Sequence, residues 1–180
     1  MRPLPWPDRS RDTRWCLRAN RVCANKLART FFSGISRLGD GIAWYVLMAG
    51  MVLFDGGAGL FAAAHLAATG AIALTLYSVL KRWTRRPRPF ASDRRIRAWV
   101  PPLDEFSFPS GHTLHAVAFT LVALAHYPVL AWVLVPFAAS VGVSRVVLGL
   151  HYPSDVLAAT VIGSALASVS LWVVPGATLF

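Results

Sequence analysis

The chain has 180 residues, of which 56% are hydrophobic and only 14% charged, and its mean hydropathy is +0.52. Such a composition excludes a disordered or tail-like protein and is unusual for a soluble domain. Eighteen Lys and Arg against 8 Asp and Glu give a formal net charge of +10, which on so apolar a chain points to anionic lipid or phosphate before nucleic acid.

The first 37 residues differ in kind from the rest. Pro3, Pro5 and Pro7 oppose helix at the start. From Arg14 to Ile35, the basic residues Arg14, Arg18, Arg21 and Arg29 recur at helical intervals, while Cys16, Cys23, Leu27, Phe31 and Ile35 fall toward another face. That pattern predicts an amphipathic helix lying on anionic headgroups. The Arg-rich start is not followed by an apolar run and a small-residue cleavage site, so no signal peptide is expected. Two cysteines are too few for a disulfide framework, and Cys16 and Cys23 read as small apolar residues.

Beyond this segment the charges thin out. Residues 41–80 hold one formal charge, Asp55, and residues 106–144 and 156–180 hold none. A membrane span needs roughly 17 to 25 residues, so the first two stretches each have room for a hairpin and the third for one helix. Asp55-Gly56-Gly57-Ala58-Gly59 divides the first and His126-Tyr127-Pro128 the second. The expected helices run over about 41–54, 60–81, 112–127, 129–149 and 154–175, the first starting before Asp40 or crossing incompletely. The predicted fold class is all-α: a polytopic membrane bundle of about five transmembrane helices plus the N-terminal interfacial helix.

Three short stretches carry the chemistry. Lys81 and Arg88 stand at the end of the second helix, Pro109-Ser110-Gly111-His112 opens the third, and Ser144-Arg145, His151 and Asp155 span the turn between the fourth and fifth. Up-and-down topology brings all three to one membrane face. Lys81, Arg88 and Arg145 offer fixed positive charge suited to phosphate oxygens. Ser110 and Gly111 add a hydroxyl and free backbone N–H groups at a helix start. Asp155, four residues after His151, is placed to orient one ring nitrogen and leave the other as a nucleophile. Arg82, Arg85, Arg86, Arg94, Arg95 and Arg97 read as headgroup or topology signals outside the site, and His65, His115 and His126 as packing or interfacial residues. Asp40 and Asp55 are expected at span ends.

At these positions the chain resembles the type 2 phosphatidic acid phosphatases (PAP2), which share their core with vanadium haloperoxidases. The family signature K-x6-R-P, P-S-G-H and S-R-x5-H-x3-D is met by Lys81 with Arg88-Pro89, by Pro109-Ser110-Gly111-His112, and by Ser144-Arg145 with His151 and Asp155. The resemblance implies residues 38–180 as the membrane phosphatase domain and 1–37 as a basic appendage. It also implies a two-step hydrolysis of a lipid phosphomonoester or pyrophosphate, with no cofactor and no metal. His151 is then the nucleophile, Asp155 its orienting partner, and His112 the acid that becomes the base. Lys81, Arg88, Ser110, Gly111 and Arg145 hold the phosphate oxygens. Bacterial members acting on polyprenyl pyrophosphate, phosphatidylglycerophosphate, phosphatidic acid or lipid A phosphates are the nearest in kind. A phosphotransferase would use the same site, a haloperoxidase would need bound vanadate, and a non-enzymatic transporter would have no reason to keep both histidines.

Partners are therefore a lipid phosphate substrate and the bilayer, without nucleic acid, and the oligomeric state is left open. Nine Lys and Arg precede residue 40, eight lie between Lys81 and Arg97, and the last is Arg145, so with five spans every cation is on the catalytic face. The positive-inside rule sends that face to the cytoplasm, whereas the resemblance tips it toward the periplasmic side of a bacterial inner membrane.

Overall fold

The computed structural model describes residues 9–174; the prolines expected to oppose helix and the last residue of the expected fifth helix lie outside that range. The N-terminal segment is two helices, α1 (Arg9–Asn20) and α2 (Lys26–Arg37), separated by a 3-10 turn at Arg21–Ala24. Asn25 makes the break. Its extended backbone stops the turn, and its side chain caps α2 by accepting from the N–H groups of Leu27 at 2.8 Å and Ala28 at 3.3 Å. The single helix expected over 14–35 is thus divided, and it does more than rest on headgroups. Cys16, Asn20, Cys23 and Ser36 are buried, because α1 packs on the sixth and seventh helices and α2 along the sixth. Leu27 and Phe31 remain exposed on α2, where an apolar stripe beside basic residues suits the membrane boundary.

A wide turn at Leu38–Ile42, kinked at Gly41 with φ 138°, carries α2 into α3 (Ala43–Thr84), so the first apolar arm starts after Asp40 and is short, as the sequence pattern allowed. At Gly56, with φ 52° and ψ −120°, α3 turns back on itself. A side chain at Gly59 would put its Cβ 1.8 Å from the Met51 carbonyl oxygen, so glycine is required where the two arms of this hairpin meet. The expected break at 55–59 is where it occurs.

The short α4 (Pro89–Ser92) leads into an irregular loop over residues 93–110, which is tied down by the Ser107 N–H donating to the Arg86 carbonyl at 2.9 Å. α5 (Gly111–His126), α6 (Ala131–Val147) and α7 (Pro153–Val173) complete the chain. α5 is the central helix, packed by α3, α6 and α7. Trp44, Leu66, Phe119, Val122, Val141 and Ala167 fill the core around it. Phe54, Trp132 and Trp172 are 93%, 88% and 87% exposed, so large apolar side chains point outward, as they do against lipid. Stretches Lys26–Thr84, Pro128–Val147 and Pro153–Val173 are long and apolar enough to cross a membrane. The reversal in α3 and the central α5 make about five apolar helical arms among the described residues, of which the first, from Ala43 to the kink at Gly56, is shorter than a full span.

Candidate active site

Every sequence-predicted site residue comes from the end of an element, and these ends meet at one end of the bundle. Lys81 closes α3, Arg88 precedes α4, Ser110 caps α5, and Arg145 lies in the last turn of α6. His151 sits in the turn that follows and Asp155 in the first turn of α7. Gly149, at φ 77°, makes that turn; a Cβ there would meet the Arg97 carbonyl oxygen at 2.5 Å. Lys81, Arg88, Gly111, His112, Arg145 and His151 line one cleft of about 720 Å³. Ser110 and Asp155 are fully buried behind it. The Ser110 hydroxyl bonds the Thr113 hydroxyl at 2.9 Å as part of the α5 cap.

His151 is the best-defined group. Its Nδ1 lies 2.7 Å from the Ser107 carbonyl oxygen, an acceptor that requires Nδ1 to carry the proton. Nε2 is then a bare lone pair, 3.3 Å from Arg88 Nη1. Burial first, and then the charges of Arg88, Arg145 and Lys81, hold the ring well below the ordinary histidine value of 6.5, so it is neutral. Asp155 Oδ2 stands 3.6 Å from Nδ1, outside hydrogen-bond range, and accepts from the Tyr152 N–H at 2.8 Å. The proton of His151 is therefore held by a backbone carbonyl, with the carboxylate behind it.

Four residues near the site were not picked out from sequence. Arg86, read as a headgroup arginine, is buried, donates to Asp155 Oδ1 at 2.5 Å, and lies over the Tyr152 ring at 4.1 Å. Asp104, in the loop, accepts from Lys81 at 2.5 Å and from Arg88 Nη2 at 2.9 Å. Burial alone would raise its carboxyl, but Lys81 and Arg88 hold it below the ordinary range. Asp40, expected only at a span end, is 3.2 Å from His112 Nε2. Ser107 supplies the carbonyl for His151. Arg145 donates through Nη1 to the Ser36 hydroxyl, and its buried Nε has no partner among the described residues.

Below its charged mouth the same cleft runs between α3 and α5 and is lined by Trp44, Met48, Ala67, Leu74 and Phe119. His115 lies on this wall, with Nδ1 3.0 Å from the Gly111 carbonyl oxygen and Nε2 3.2 Å from that of Gly70. His65 and His126 pair with each other at 3.1 Å away from the cleft lining. One end of the cleft can hold a phosphate and the other an apolar chain.

The family model of the PAP2 superfamily matches residues 61–179. The chain belongs to that superfamily. Among curated PAP2-type relatives, it is 34% identical over 94 residues to the undecaprenyl-diphosphatase BcrC of Bacillus subtilis, an alignment covering 52% of this chain and 48% of that protein. To phosphatidylglycerophosphatase B of Escherichia coli it is 38% identical over 76 residues, 37% of this chain and 28% of that one. The chain thus spans less than half the length of these relatives. In three dimensions it is similar to the transmembrane PAP2 type phosphatidylglycerolphosphate phosphatase of Bacillus subtilis, with a TM-score of 0.73, 26% identity, and coverage of 90% of this chain and 83% of that one. Aquifex aeolicus LpxE gives a TM-score of 0.72 at 26% identity over 82% of this chain and 87% of that one. This PAP2 chain is a multi-pass membrane protein of a kind found in bacteria.

Proposed function

We propose that this PAP2 protein is an integral-membrane lipid phosphatase that removes phosphate from a lipid phosphomonoester or pyrophosphate through a phosphohistidine, without a metal. The observation that carries this reading is the neutral His151, whose unprotonated Nε2 faces Arg88 in a cleft shared with Lys81, Arg145 and His112. In the first step Nε2 attacks phosphorus, the N–P bond forms, the P–O bond to the lipid breaks, and His112 gives the leaving oxygen its proton. In the second, His112 takes a proton from water, whose oxygen attacks phosphorus and frees His151. Lys81, Arg88, Arg145 and the Gly111 N–H stabilise the equatorial oxygens as charge redistributes. Ser110 supports them as the cap that aims the α5 N-terminus, and Asp155 stabilises the charge on the phosphorylated ring.

The apolar wall of the cleft supports a lipid substrate, and the names of the relatives support the polyprenyl pyrophosphate and phosphatidylglycerophosphate classes, with phosphatidic acid resting on the family resemblance alone. Residues 38–180 form the phosphatase domain and 1–37 a basic segment at the anionic membrane surface of a bacterial inner membrane. Phosphate release by purified protein in detergent, measured across a panel of these lipids without an added acceptor, tests the reading. Release that is inhibited by vanadate and unaffected by chelator is the expected result. Turnover seen only with an acceptor lipid would make the protein a transferase, and turnover restored only by magnesium would overturn the metal-free chemistry.

A further inference from the structure

Residues before 61 lie outside the segment that matches the family, yet three side chains of the N-terminal segment end on the groups just described. Asp12 of α1 accepts from Arg86 Nη2 at 2.8 Å and from the Ser154 hydroxyl. Arg86 is thereby forked between two carboxylates, Asp12 on one side and Asp155 on the other, and it also donates to Ser154 at 2.7 Å. One turn along α1, the Cys16 thiol donates to the His151 carbonyl oxygen at 3.3 Å. One turn further, Asn20 donates to the carbonyl oxygens of Val147 and Arg97 at 3.0 and 2.9 Å and accepts from the Arg97 N–H at 3.0 Å. At i, i+4 and i+8 these residues share one face of the helix, and that face is laid along the loop carrying the nucleophile.

We propose that α1 is a positioning element of the active site, in which Asp12, through Arg86, and Cys16, through the main chain of residue 151, fix Asp155 and His151 for phosphoryl transfer. Asp155 is buried, so it keeps its charge only while compensated, and the compensating cation is Arg86. An Arg86 drawn wholly toward Asp155 would hold that carboxylate away from Nδ1. Asp12 takes the other end of the guanidinium and leaves Asp155 Oδ2 the 3.6 Å from Nδ1 that it must close as positive charge develops on the ring. Arg14 and Arg18 of α1 are exposed and lie about half a turn from the face that carries Asp12, Cys16 and Asn20, so the helix serves the membrane surface and the nucleophile with opposite faces.

The inference rests on the phosphatase reading, and the test separates the two. Full-length Asp12→Asn and Asp12→Glu are compared with wild type and Arg14→Ala in detergent, using a soluble aryl phosphate so that membrane delivery plays no part. For Asp12→Asn, kcat falls by roughly 10- to 100-fold, the scale of a misplaced catalytic group, with KM within about twofold because the phosphate-holding cations are untouched. Asp12→Glu retains the charge and most of kcat, and Arg14→Ala behaves as wild type. A second readout needs no turnover: Cys16 is buried, and Asp12→Asn speeds its modification by a maleimide while Arg14→Ala does not. An unchanged kcat in Asp12→Asn overturns the positioning role whatever the thiol does, and so does a fall in kcat matched by lost folded protein. A wild type without vanadate-sensitive phosphate release overturns the phosphatase reading itself, and that result is seen before any variant is made.

Discussion

His151 and His112 line one cleft but are assigned opposite work, and single substitutions separate them. His151→Ala removes the proposed nucleophile, so no phosphoenzyme is expected to be trapped by rapid-quench labelling. His112→Ala leaves the nucleophile intact; with an aryl phosphate, whose leaving group needs little protonation, labelling persists while lipid turnover drops by about 10²- to 10⁴-fold. Equal labelling of His151→Ala and wild type would reverse the assignment. The pH dependence follows from the charges around the ring. A protonated His151 cannot attack, and burial with Arg88, Arg145 and Lys81 keeps it neutral below the ordinary value of 6.5. The acid limb of kcat/KM therefore lies on the acid side of that value. Removing one cation makes protonation easier, so Arg88→Gln moves the limb to higher pH as well as lowering the rate; an unmoved limb would mean that another group sets it. The location of the motif residues was legible because their spacing and the apolar runs between them put them at helix ends on one side of the bundle. Ser107 and Asp104 were not, because their roles exist only once the 93–110 loop has folded over the bundle end, and Arg86 was not, because its partners Asp12 and Asp155 reach it only through the docking of α1 and α7. Nothing in their local spacing distinguishes them from solvated loop residues.

That loop carries its own consequence. Asp104 holds Lys81 and Arg88, the cations proposed to take the incoming phosphate, so on that proposal the free site contains a carboxylate that substrate must displace. Asp104→Asn removes the competitor, and vanadate inhibition of aryl phosphate turnover tightens by roughly 2- to 5-fold, the scale of a partly exposed ion pair. Inhibition that is unchanged or weaker would show that Asp104 helps to order the cations and does not compete for them. Among the helices, breaks encoded by residue type were readable: the glycines at 56–59 and the Tyr127-Pro128 step fall where the sequence puts them. The division of the N-terminal segment was missed because its signal, Asn25 as a cap, is a single side chain inside an otherwise continuous amphipathic pattern. Docking of α1 was invisible for a related reason: Cys16 looks like any small apolar residue until the His151 carbonyl lies beside it.

Across the whole molecule the charge distribution and the chemistry pull in different directions. The cations of α1, of the segment from Lys81 to Arg97 and of Arg145 all lie at the catalytic end, the arrangement that ordinarily marks a cytoplasmic face. Part of that charge is committed to other work, however. Lys81, Arg88 and Arg145 line the cleft, Arg86 holds Asp155, and Arg29 and Arg97 lie over the Trp99 ring at 5.0 and 4.4 Å. Cations that fold the site weaken the inference from charge to orientation, and the periplasmic face suggested by the family resemblance is the one we expect. Cys16 and Cys23 are both buried, so neither reports topology, whereas Arg14→Cys places a thiol on the exposed side of α1. An impermeant maleimide added to intact cells is expected to label Arg14→Cys, while a reporter fused after Phe180 reads as cytoplasmic. Labelling only after the membrane is opened, with an outward reporter, would give the decision to the charge rule. A reporter and thiol on the same side would require an even number of crossings and remove one of the five helices from the membrane.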